Sequence, residues 1–298
     1  DEPFADASQI PTFLVSQLAK KQVSVILSGD GGDELFGGYN RYYWGRRIWY
    51  QTSWIPTKIR EILAFSLTTL TPQTWDLLFS PLPKKFRPTT PGDNIHKLAE
   101  VFASPHPEAM YTGLVSRWKQ PTKIVLGASE LPTILNNSQQ WANLPDFTQR
   151  MMYLDTITYL PDDILVKVDR AAMGVSLESR IPFLDHHLVE LAWRIPLSMK
   201  IRHGQGKWLL RQILYKYVPQ TLIERPKSGF GIPIDRWLRQ PLRDWAEALL
   251  DPKRLRQEGY FSPQPIRQKW QEHSSGERNW QYYLWNILMF QAWLEQNN

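Results

Sequence analysis

Ile10, Leu14 and Leu18 recur at helical spacing, and this pattern predicts an amphipathic helix over Ser8 to Lys20. The pattern then changes. Val23-Ser-Val-Ile-Leu-Ser28 is an apolar, β-branched run of strand length. It runs straight into Gly29-Asp30-Gly31-Gly32-Asp33-Glu34, after which Leu35-Phe36 begin a second helical pattern. One helix is predicted from about Asp33 through the aromatic and basic segment Tyr39 to Arg47. From Pro56 to about Arg117 the pattern is helical and broken by prolines, with Pro81-Leu82-Pro83 and Pro88 to Pro91 marking a loop. Two helices are predicted over Asp146–Leu160 and Asp162–Met173, the second with Pro161 and Asp162 as a start signal. Others follow over Asp185–Ile195, over Gly206–Val218 and from near Glu277. Val23–Ser28 is the only predicted strand, and a single strand cannot make a sheet. Either strands are hidden in segments that read as loops, or the rest of the sheet lies upstream of Asp1; the second is the expectation.

Composition narrows the class without choosing a function. The 298 residues are 42% hydrophobic and 21% charged, ordinary for a globular chain. The 14 Trp, 12 Tyr and 12 Phe supply ample material for a core. A net charge of +6 favours anionic ligands, but the basic residues are scattered (Arg46-Arg47, Lys84-Lys85, Lys253-Arg254), so no nucleic-acid surface is indicated. There is no cysteine, which excludes disulfides, Cys-ligated zinc and a thiol nucleophile within this chain. The richest apolar stretch, Tyr282 to Leu294, is interrupted by Asn286 and Gln291 and is too short for a bilayer, so it reads as a buried helix. The first residues are acidic and polar, unlike a signal peptide. A cytoplasmic protein with no membrane partner is the expectation.

The chemistry concentrates in the glycine turn. Ligands of open α/β sheets bind at the carboxyl ends of strands, where such turns lie. Glycines let backbone N–H groups approach a phosphate closely. Carboxylates in the same turn would repel a bare phosphate, so they fit a site where Mg²⁺ lies between the two. The plainer reading is a strand–helix turn with Asp33 as N-cap. Three further segments stand out: Asp169-Arg170-Ala-Ala-Met173, Leu177-Glu178-Ser-Arg180-Ile-Pro182-Phe183-Leu184-Asp185, and Glu224-Arg225-Pro226-Lys227-Ser-Gly229-Phe-Gly231. Singly, each has a plain reading: a helix ion pair, a loop salt bridge before a hydrophobic stop, and a solvated lysine.

In combination and in this order, the four segments closely resemble the synthetase domain of the glutamine-hydrolysing asparagine synthases, from Asp1 through about Trp237. The resemblance implies an α/β, predominantly helical fold: the C-terminal portion of an ATP-pyrophosphatase-type domain with part of its parallel sheet. Family members carry a glutaminase domain with a Cys nucleophile and a Ser-Gly-Gly-x-Asp-Ser phosphate loop, and neither occurs in these 298 residues. The 298 residues are therefore expected to be the C-terminal part of one synthetase domain, inactive alone, with the upstream part of the same polypeptide as a partner. The family reaction activates aspartate with ATP as β-aspartyl-AMP, which ammonia from glutamine then attacks; a homodimer is one assembly open to it. By resemblance, Ser28 and Gly29 contact the AMP portion through hydroxyl and backbone, and Asp33 binds Mg²⁺ on the pyrophosphate. Asp30 assists ammonia attack or binds substrate, at a position where well-known members have Glu. Lys227 lies near the α-phosphate, and Glu178 and Arg180 organise the acceptor-substrate side. The alternatives are a related amidotransferase with another carboxylate acceptor, or a non-catalytic assembly domain.

Overall fold

The apolar run does form a strand, β1 (Val25–Leu27), and it has a partner. In this computed structural model, which describes residues 2–83, 91–224 and 231–297, β1 pairs in parallel with β2 (Glu178–Arg180). The register sets Val25 opposite Glu178, Ile26 opposite Ser179 and Leu27 opposite Arg180. The segment Glu178–Arg180, read from sequence as a loop salt bridge, is thus a strand. The ion pair is nonetheless real, with Arg180 Nε 2.7 Å from Glu178 Oε1. A strand was hidden in a loop, contrary to expectation, because Glu-Ser-Arg has none of the apolar signal of a buried strand.

The chain divides into two compact units, and neither is a single stretch of sequence. One comprises residues 6–47 and 137–232. Its main elements are α1 (Gln9–Lys20), β1, α2 (Gly32–Phe36), the start of α3 (Asn40–Thr52), α4 (Phe147–Ile157), α5 (Val166–Met173), β2, α6 (His186–Arg194) and α7 (Trp208–Leu214). Helix α1 packs along α5, which also lies against β2. The buried Leu35, Phe36 and Ala192 form a cluster with Phe183, Val189, Trp193, Ile195 and Leu210.

Two predicted helices change on folding. The helix expected from Asp33 to Arg47 is broken into α2 and α3 at Gly37, which adopts φ +69°. A side chain there would place its Cβ 2.6 Å from Ile201, so the break is fixed by tertiary packing as well as by glycine's freedom. Gly31, not Asp33, caps α2, and Asp33 lies in its first turn. Pro161 does mark a helix start, in the first turn after the break at Thr158, but the turn it opens is not α-helical. It lies inside a π-helical segment, Leu160–Leu165, that runs directly into α5.

The other unit comprises residues 1–5, 48–136 and 233–298 and is helical. Proline starts several of its helices, including Pro72–Phe79, Pro107–Val115 and Pro263–Ser274. This is the helix position where a missing N–H costs nothing. The last helix, Gln281–Asn297, begins later than Glu277 and buries Leu284, Trp285, Ile287, Leu288 and Leu294. No helix among the described residues is long and apolar enough to cross a membrane.

Candidate active site

The glycine turn leaves the carboxyl end of β1, where the parallel pairing continues one residue further: the Ser28 N–H donates to Arg180 O at 2.8 Å. That donor is therefore committed to the sheet, and the Ser28 hydroxyl donates to the Asp30 carboxylate. Gly29 is exposed, and a Cβ built on it meets nothing within 4 Å. Gly31, at φ +80°, and Gly32 are buried against the Pro182-Phe183-Leu184 segment. Their absent side chains would lie 3.2 Å from Leu184 Cδ2 and 3.2 Å from Phe183 Cε2 respectively. The Phe183 ring also meets Phe36 edge-on at 5.9 Å. Two segments far apart in sequence are thereby held together at one end of the parallel pair. The hydrophobic stop suggested for Pro182-Phe183 is the floor beneath the glycines.

Glu178 and Arg180 stand with Val25 and Leu27 on the exposed face of the two strands, adjoining the turn. Asp169 and Arg170 lie on α5, whose Ala171 and Ala172 are buried. Lys227 lies outside the described residues.

Asp33 is half-exposed, and its Oδ2 is 2.9 Å from Lys207 Nζ. No motif points to Lys207, which lies inside the helix predicted over Gly206–Val218. The helix starts only at Trp208, and Lys207 precedes it in a left-handed conformation, φ +56°. The only signal available was the glycine-rich run Gly204-Gln-Gly206 before it.

Behind the turn lies a charged network that joins Glu34, Tyr39, Arg41 and Tyr42 to Asp155 and Tyr159, which no motif pointed to. Asp155 is fully buried; Arg41 Nε donates to it at 2.9 Å and the Tyr42 hydroxyl at 2.5 Å. The Arg41 guanidinium stacks on Tyr39 and Tyr159, at 4.2 and 4.9 Å from their ring centroids. Glu34 is buried and accepts a hydrogen bond from the Tyr39 hydroxyl at 2.6 Å. Burial pushes the Glu34 carboxyl above its ordinary value, partly offset by that hydrogen bond. Burial and the Glu34 carboxylate hold the Tyr39 hydroxyl far above its own, so it stays protonated and donating.

Among the described residues no cluster of three or more His, Asp or Glu side chains could cage a metal ion. The turn instead offers hard oxygen donors, and Asp33 already attracts a cation. Such a donor set fits Mg²⁺, which keeps few protein ligands and completes its shell with phosphate and water.

The chain matches known proteins along nearly its whole length. The family model described as asparagine synthase matches residues 1–295, well past Trp237, where the motif resemblance had faded. A glutamine-hydrolysing asparagine synthetase of Bacillus subtilis is 28% identical over 98% of this chain and 44% of its own length. A putative glutamine-hydrolysing asparagine synthetase of Mycobacterium bovis is 31% identical over 98% of this chain and 42% of its own length. The mouse glutamine-hydrolysing asparagine synthetase is 28% identical over 41% of this chain and 24% of its own length. The chain thus spans less than half the length of the first two relatives. With the glycine turn seated on the Pro-Phe-Leu segment and the family model matched nearly end to end, this chain belongs to the asparagine synthase family.

Proposed function

We propose that the chain is the C-terminal part of an ATP-pyrophosphatase-type synthetase domain that forms asparagine. In this reading, aspartate is activated by ATP as an acyl-adenylate, and ammonia released from glutamine by an upstream glutaminase domain then attacks it. The observation that carries the reading is the convergence of the Ser28–Asp33 turn and the Glu178–Leu184 segment at the carboxyl end of β1 and β2. Nucleotides bind at such strand ends in open α/β sheets.

Each residue has a part in that chemistry. The space beside Gly29 admits a nucleotide close to the backbone, while Asp30 orients the Ser28 hydroxyl beside it. Asp33 and the pyrophosphate oxygens would share Mg²⁺, which on binding screens the phosphate charge. Lys227, as a point charge near the α-phosphate, would stabilise the charge that builds there during adenylation. Asp30 would also assist ammonia, and Glu178 and Arg180 would order the acceptor side. The short, open-edged parallel pair supports the view that further strands of the same polypeptide complete the sheet.

The test is Asp33→Asn in the full-length enzyme, assayed by aspartate-dependent ATP–pyrophosphate exchange across a magnesium titration. Exchange should be abolished at ordinary magnesium while the melting temperature is retained, because a neutral amide is a much poorer magnesium ligand. Near-normal exchange would remove Asp33 from the site.

A further inference from the structure

We propose that Lys207 is a diphosphate-binding residue that Asp33 holds ready in the unliganded protein. The proposal rests on the reading above, in which Asp33 faces a magnesium-bound pyrophosphate. Three glycines shape the arrangement. A Cβ on Gly38 would lie 1.9 Å from Asp33 Oδ1 and 2.5 Å from Lys207 Cε, and one on Gly206 would lie 2.1 Å from Gly37 O. The Lys207 N–H donates to Phe36 O at 2.9 Å, tying its backbone to the end of α2. Lys207 is one of only three non-glycine residues at positive φ among the described residues.

Stability does not account for this construction. A lysine in the left-handed region is strained, and a bulky side chain adopts it only where its surroundings impose it. The ion pair it gains is partly exposed, at 28% and 30% for the two side chains, and such pairs contribute little. What the strain secures is position: a partly exposed ammonium against Asp33 Oδ2, in the turn where phosphate is expected. When Mg²⁺ takes its place on Asp33, the flexible ammonium is released toward the phosphate oxygens, which it can contact as a point charge. Without metal, Asp33 both occupies Lys207 and repels the diphosphate.

This predicts an inverted response that distinguishes Lys207 from a merely structural lysine. Binding of inorganic pyrophosphate to the full-length protein is measured by calorimetry, in EDTA and in magnesium. In EDTA, Asp33→Asn should bind pyrophosphate about tenfold more tightly than the wild type, because Lys207 is set free. Adding Lys207→Met should remove that gain, whereas adding Lys207→Arg, which keeps the cation, should preserve it. If the Asp33→Asn protein gains nothing in EDTA, or the Lys207→Met double variant binds as tightly as Asp33→Asn alone, Lys207 does not bind diphosphate. The magnesium arm tests the underlying reading separately: magnesium-dependent binding that survives Asp33→Asn removes Asp33 as a metal ligand, while the EDTA comparison still decides on Lys207.

Discussion

Asp155 shows how much one side chain can hold in place. It is fully buried, and its carboxylate gathers Arg41 and Tyr42 directly behind the glycine turn. Breaking a buried pair from one side leaves the other charge desolvated and uncompensated, at a cost of about 3–5 kcal/mol. Asp155→Leu and Arg41→Met should therefore each destabilise the protein by that order in chemical denaturation. The double variant should recover much of the loss, since apolar replacements of a buried pair are often close to neutral. Additive losses would show that the two side chains act independently. The same network keeps Tyr39 hydrogen-bonded to Glu34, so motif residues inside the turn are fixed by Asp155, a group that no motif names.

At the scale of elements, the glycines around the turn divide into two kinds. Gly206 meets backbone: a Cβ there collides with Gly37 O at 2.1 Å, and Gly206→Ala should lower stability by about 1–3 kcal/mol. Gly29 meets nothing, so Gly29→Ala should leave the melting temperature unchanged while weakening ATP binding. Equal melting temperatures for the two variants would contradict the close approach of Gly206 to Gly37. This division also marks what could be read in advance. β1 was legible because Val-Ile-Leu continues an apolar, β-branched run into a glycine turn, and the helices starting near Asp185 and over Gln9–Lys20 were equally plain. β2 was not, since Glu-Ser-Arg becomes a strand only by pairing with β1. The break at Gly37 and the placing of Lys207 likewise depend on contacts with Ile201 and Phe36, distant in sequence. Ser28, Gly29, Asp30 and Asp33 could be named from their motif; the cation beside Asp33 could not.

Taken whole, the molecule leaves much apolar surface in water. Leu14 and Leu18 of α1 are 56% and 65% exposed, and Leu27 of β1 is 74% exposed beside the open strand pair. Exposed apolar side chains next to an unpaired strand edge favour association. The 298-residue chain should therefore scatter light increasingly with concentration and bind a hydrophobic dye while folded. Leu14→Gln combined with Leu18→Gln should reduce both signals and leave the melting temperature nearly unchanged, because little burial is lost. Unaltered scattering would place the association elsewhere.

The interleaving of the two units also sets a timetable for synthesis. Residues 6–47 and 137–232 are all available once residue 232 has been made, whereas residues 48–136 must wait for 233–298 to complete their unit. At ordinary translation rates the ribosome needs roughly 5–20 s to pass from the end of one segment to the start of the other. The unit bearing the glycine turn can thus assemble first on the ribosome. The helices over residues 57–115 spend that interval without the tryptophan-rich C-terminal helices that finish their core, and this is the window in which a chaperone would find them.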